Sequence, residues 1–99
     1  QRPLPGYPGA FVVYDFWAPW CDACRSVDVR LRELAARDSR VLLRRVNIVD
    51  FDSKIARAAL PGVEVLPHVR VIDPDGATVL DLSGPADQVV DAVNAAVKP

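Results

Sequence analysis

Cys21 and Cys24 stand three residues apart, directly after an apolar run and at the head of a helical pattern, and the 99-residue chain has no other cysteine. A scaffold disulfide stabilises by restricting a long loop of the unfolded chain, so a pair this close is a poor staple. It suits a bond that is made and broken. Its position sharpens the point. At a helix N-terminus the unpaired backbone N–H groups and the positive end of the dipole stabilise a thiolate on the first cysteine. A free cysteine has a pKa of roughly 8.5, and such settings lower it to roughly 3.5–7.5. The second cysteine lies one turn in, more buried, and stays protonated until it resolves a mixed disulfide. Cys21 is therefore the expected nucleophile and Cys24 the expected resolver. A zinc ribbon would need two further ligands, and the chain offers a single histidine.

The pattern around this pair alternates strand and helix. Ala10–Trp17 is predicted as a buried strand, rich in aromatic and β-branched residues. A helix is expected from Trp20 to Arg37, with Val27, Leu31, Leu34 and Ala35 at helical spacing. Val41–Val49 follows as a second strand. A short helix over Ser53–Leu60 has Asp52 or Ser53 as N-cap and Pro61-Gly62 as its stop. Val69–Ile72 and Thr78–Leu82 make a third and fourth strand, joined through Asp73-Pro74-Asp75-Gly76, a strong hairpin-turn signal. Gly84-Pro85 opens a last helix, with proline in its first turn and an inner stripe of Val89 or Val90, Val93, and Ala96 or Val97. The order is β-α-β-α-β-β-α, an α/β chain with a parallel pair and a closing antiparallel hairpin.

Composition narrows the function. With 51% apolar and 25% charged residues the chain is ordinary globular sequence of one domain. A net charge of −1 provides no basic excess for nucleic acid. No apolar run approaches the ~20 residues of a membrane helix. The stretch 1–9 holds three of the nine prolines and no apolar signal-peptide core. It reads as a linker or trimmed end ahead of a domain over 10–98.

Asp15-Phe16-Trp17-Ala18-Pro19-Trp20-Cys21-Asp22-Ala23-Cys24-Arg25 resembles the active-site segment of thioredoxins, Asp-Phe-Trp-Ala-x-Trp-Cys-Gly-Pro-Cys-Lys. Val46-Asn47-Ile48 with Asp50, Val63-Glu64-Val65-Leu66-Pro67, Asp75-Gly76 and Ser83-Gly84 resemble later landmarks of that family, in the right order from Phe11 to Val97. The resemblance implies a cis peptide bond at Pro67 against the cysteine pair, a backbone edge at Leu66 that receives the substrate, and a docking surface that includes Trp20. The residues alone allow Pro67 to be an ordinary strand-opening proline. The resemblance also places Asp15 beneath the pair, where it helps move a proton from the resolving cysteine. A carboxylate inside an apolar strand is costly unless paired or protonated, and burial would raise its pKa.

Several positions depart from the family pattern. Asp22-Ala23 replaces Gly-Pro. The Asp22 charge beside Cys21 disfavours the thiolate, which points to a reducing or electron-relaying protein. Arg25 partly offsets that charge. His68 stands where thioredoxins usually have Thr. It is expected either as a bland surface residue or as a group that contacts the Cys21 sulfur or helps bind a metal. Arg45 aligns with a family lysine near the buried aspartate and would be its permanent partner, unless Arg44 points inward instead. The family's first strand and helix have no counterpart in the residues before Ala10. A minimal thioredoxin fold follows, a four-stranded mixed sheet flanked by helices with strand order second-first-third-fourth. Its edge, 41–49, is apolar enough to invite pairing, with the proline-rich start or another chain as its cover.

The favoured function is thiol–disulfide exchange with protein substrates, drawing on an upstream thiol reductant and needing no cofactor or metal. The alternative is a thioredoxin-fold metal-binding module that uses Cys21, Cys24 and His68. A redox-inert interaction domain ranks last, since it would not need Asp15, Trp20 and both cysteines together. The linker-like start and the missing first elements incline toward an extracytoplasmic or membrane-tethered bacterial setting, with a cytoplasmic one still open.

Overall fold

A computed structural model describes residues 4–98; the first three residues of the expected linker lie outside it. The elements are β1 (Phe11–Trp17), α1 (Asp22–Arg37), β2 (Val41–Asn47), α2 (Lys54–Ala59), β3 (His68–Ile72), β4 (Thr78–Ser83) and α3 (Ala86–Ala96). They build one four-stranded sheet in the order β2-β1-β3-β4. β1 and β2 are parallel, with Asp15 opposite Arg45, and α1 is their crossover. β3 runs antiparallel to β1, with Phe16 opposite His68, and β4 antiparallel to β3. This is the minimal α/β arrangement expected from the sequence.

Alternation along β1 divides the core. Val13 points to the face covered by α1 and α3, where it packs with Val27, Leu31, Leu34, Val69, Val71, Val89 and Val93. Val12, Tyr14 and Phe16 point to the other face, against Ile48, Ala56, Ala59, Leu60 and Ile72. Layers on both faces explain why β1 is nearly continuous in apolar residues. The α1 stripe is Cys24, Val27, Leu31 and Leu34, so the cysteine pair is carried on the buried side of the longest helix.

Local chemistry sets the element ends. Cys21 caps α1 in extended backbone, so Trp20, expected inside the helix, lies in the turn before it. Ser53 caps α2 and accepts from Ala56 N–H at 3.1 Å. Pro85 is the N-cap of α3, so the helix begins at Ala86, just after the proline expected within its first turn. Asp73 closes the hairpin by accepting from both Asp75 N–H and Ala77 N–H at 2.9 Å, while Gly76 takes a φ of 92°.

β2 stops at Asn47, two residues short of the expected span, because Val49 turns into the left-handed region with φ 67°. The edge position of β2 is as expected, but the proline-rich start, one of its two expected covers, does not lie along it. Residues 4–9 run instead over the α2 face and the β3–β4 turn. Leu4 packs with the Phe16 cluster, Tyr14 Oη donates to Pro5 C=O at 2.7 Å, and Gly9 N–H donates to Pro74 C=O. Gly6 sits so close to Ile72 that a Cβ there would meet its Cγ2 at 2.8 Å. The segment thereby buries Leu4 against the apolar cluster on the α2 side of the sheet. Among the described residues no helix is long and apolar enough to cross a membrane.

Candidate active site

The cysteine pair sits at the C-terminal end of β1, where the strand turns into α1. The two sulfurs are joined as a disulfide with Cα atoms 5.4 Å apart. Cys21 is 7% exposed and Cys24 2%. Cys24 N–H donates to Cys21 Sγ at 3.2 Å, so a free donor of the first helical turn is aimed at the outer sulfur. Asp22 and Arg25 are exposed on the same first turn. A cleft beside the pair is lined by Cys21, Cys24, Arg25, Asp28 and Arg45.

Asp15 has no exposed surface, is coupled by charge to Asp28 and Arg45 of this cleft, and neither of its carboxylate oxygens has a hydrogen-bond partner by geometry. Its pKa is raised to about 7, first by burial and then by the charge of Asp28, with Arg45 opposing. Arg45 is not the simple partner expected for it. The Arg45 Nε lies 3.9 Å from Asp15 Oδ2 but 2.5 Å from Asp28 Oδ1, and the guanidinium rests 4.5 Å above the Trp17 ring. The close contact is an ion pair without hydrogen-bond alignment, since Asp28 Oδ1 lacks a hydrogen-bonded donor. Arg44 points to the opposite face and donates to Tyr14 Oη at 3.0 Å.

Pro67 is buried and its peptide bond with Leu66 is cis. The end of β4 holds this loop twice: Gly84 N–H donates to Pro67 C=O and Ser83 Oγ donates to Val65 C=O at 3.0 Å. No hydrogen bond among the described residues uses the Leu66 N–H or C=O, so this short edge is open. Trp20 is 54% exposed. Its indole N–H donates to Val49 C=O at 2.6 Å and its ring packs on Phe51. Val49, whose carbonyl holds Trp20, and Val65 of the loop before Pro67 are also exposed.

His68 differs from both of its expected roles. It is buried at 4% exposure, on the face of Phe16, with its rings edge to face at 5.8 Å. Nδ1 lies 2.5 Å from Ser83 Oγ and Nε2 2.5 Å from Asp81 Oδ1. Arg70 completes the cluster through Asp81 at 3.1 Å and Ala59 C=O at 2.7 Å. With both ring nitrogens engaged on β4, His68 has none to offer the sulfurs, so the ligand set of Cys21, Cys24 and His68 is not assembled. Among the described residues no group of three or more His, Cys, Asp or Glu side chains could hold a metal ion.

Sequence reasoning passed over Asp28. It reads as one more charge on an amphipathic helix. A signal was present, because the position is one turn after Cys24 and next to Val27, on the flank of the buried stripe.

A disulfide-forming cysteine pair at the head of a helix, held in a four-stranded α/β sheet with a buried carboxylate on β1, defines the thioredoxin-fold class. Comparison with known proteins agrees. The thioredoxin family model matches residues 8–95, and the chain belongs to the thioredoxin family. It is 33% identical over 60 residues to a thioredoxin of Streptomyces clavuligerus, which covers 61% of this chain and 53% of that protein. It is 30% identical over 81 residues to protein disulfide isomerase-like 1-3 of Oryza sativa subsp. japonica, 78% of this chain and 15% of that protein. The chain thus spans about half of one of these relatives and a small part of the other. Thioredoxin f2 of Chlamydomonas reinhardtii has the same fold, with a TM-score of 0.70 at 22% identity over 93% of this chain and 83% of that one.

Proposed function

We propose that this domain reduces disulfides in protein substrates. The observation that carries the reading is the Cys24 N–H aimed at Cys21 Sγ, which makes the outer, more exposed sulfur the one that a helix N-terminus stabilises as a thiolate. In the reduced protein, Cys21 thiolate attacks a substrate disulfide. A mixed disulfide forms and one substrate thiolate leaves. Cys24 then gives its proton to Asp15 and attacks Cys21 Sγ, releasing the second substrate sulfur and closing the Cys21–Cys24 bond. Two electrons pass to the substrate, and an upstream dithiol must return them.

Asp15 suits the proton step because a base works best with a pKa near the working pH, and its own is about 7. The open edge at Leu66 beside Pro67 and the exposed Trp20 support docking of an extended substrate chain. Asp22 favours the reducing direction, since its charge opposes the Cys21 thiolate and a less stabilised dithiol is a better donor. The reading also takes 10–98 as the working domain, with the residues before it as a lead-in.

Turbidity of insulin with dithiothreitol tests the proposal. The chain should accelerate precipitation, and Cys21→Ser should abolish the effect. A wild-type curve no faster than dithiothreitol alone would contradict it.

A further inference from the structure

Asp28 has no part in the exchange steps above, yet it stands between the groups that do. It lies on α1 one turn after Cys24, lines the cleft with Cys24 and Arg45, and has a side chain 13% exposed. The charged groups that face Asp15 are Asp28 and Arg32 from α1 and Arg45 from β2. β3 places Val69 opposite Asp15, and α3 presents only apolar side chains, valines and alanines, to the core on this side of the sheet. A buried carboxylate beside one arginine would ordinarily form an ion pair and stay charged. Here the arginine is taken. Arg45 sits at 2.5 Å from Asp28 and 3.9 Å from Asp15, and Asp28 also pairs with Arg32 at 3.0 Å.

We propose that Asp28 is a positioning residue of the exchange reaction: it captures the Arg45 guanidinium over the cleft and so leaves Asp15 only the distant edge of that ion pair, free to take up and release a proton. This rests on the reading of Asp15 as the proton acceptor for Cys24. The raised proton affinity of Asp15, to which Asp28 is the second contributor after burial, agrees with it. Geometry carries the assignment. One guanidinium lies within reach of two carboxylates, and the partly exposed one holds it. The buried one keeps both oxygens unpartnered.

Removing the charge at Asp28 should release Arg45 to Asp15. In Asp28→Asn the Asp15 carboxyl, followed by carbon NMR of the oxidised protein, should titrate at lower pH by about 1–3 units, the effect of a newly acquired cation. In the double variant Asp28→Asn with Arg45→Leu the midpoint should return toward the wild-type value, because the competing cation is gone. A purely structural role for Asp28 would not be rescued by a second substitution. Asp28→Ala provides the same comparison without a side-chain amide. An unmoved midpoint in both single variants overturns the proposal. The pH profile of insulin reduction tests the underlying reading separately. If the Asp15 midpoint moves in Asp28→Asn but the rate profile stays put, and Asp15→Asn is also unaffected, then Asp15 is not the proton acceptor. The capture of Arg45 by Asp28 would still stand.

Discussion

Arg45 faces Asp15 directly across the parallel β1–β2 pair, yet its guanidinium is bound to Asp28 at 2.5 Å and stands 3.9 Å from Asp15. Strand register alone would have made Arg45 and Asp15 partners. The side chain follows α1 instead, held from below by the Trp17 ring, and the buried Asp15 carboxyl keeps only the longer 3.9 Å contact.

That arrangement sets a pH dependence of stability. Asp15 keeps its proton in the folded protein up to about pH 7 and releases it near 3.8 when unfolded. Between those values the folded state binds more protons, so this group makes stability fall as pH rises through the window. Asp15→Asn removes the slope. Urea unfolding at pH 4 and pH 8 should show the variant gaining on wild type by a few kcal/mol at the higher pH, and little at the lower.

The division of labour between the sulfurs predicts which variant traps substrate. Cys24→Ser should accumulate a mixed disulfide through Cys21, visible as a mass shift that reductant reverses. Cys21→Ser should trap little, because Cys24 is nearly fully buried. Trapping through Cys24 would reverse the assigned roles.

The His68 cluster predicts an effect at a distance from the sulfurs. Ser83 is bonded both to His68 Nδ1 and to Val65 C=O, so it ties the cluster to the loop that carries the cis-proline. Ser83→Ala should raise KM for a protein substrate several-fold with a smaller change in kcat. His68→Ala should cost about 1–3 kcal/mol in urea unfolding, since it leaves Asp81 and Ser83 without their shared partner. Equal effects on KM and kcat in Ser83→Ala would argue against a role in docking.

Ser53 should matter more than an exposed cap ordinarily does. It accepts from Ala56 N–H and donates to Ile48 C=O at 2.5 Å, next to Val49, whose carbonyl holds Trp20. Ser53→Ala is expected to cost about 1–2 kcal/mol in thermal or urea unfolding. It should also increase the mobility of the Trp20 ring, read by fluorescence anisotropy.

What the sequence made legible was local. The β-branched and aromatic run of β1, the 3–4 spacing of Val27, Leu31 and Leu34, and Asp-Pro-Asp-Gly each encode their element within a few residues. Cys21 and Cys24 declare themselves by spacing, and Asp15 by its apolar neighbours. The missed features arise from tertiary placement. His68 is buried only because the β1–β3 register sets it opposite Phe16 and the β3–β4 register brings Ser83 and Asp81 alongside. Asp28 matters because Arg45 reaches across from β2. Residues 4–9 go to the α2 face because Leu4 finds the cluster around Phe16 and α2 there, which no pattern within the segment itself reveals.

The central claim is that Cys21–Cys24 is a reversible couple poised to donate electrons. Its reduction potential, measured by equilibration with glutathione buffers and quantification of the two thiols, tests this most directly. The account predicts a single two-electron transition near the reducing end of the range, at about −270 mV as for thioredoxin. A value near about −120 mV, the oxidising end, would contradict it, and so would a pair that fails to equilibrate with the buffer.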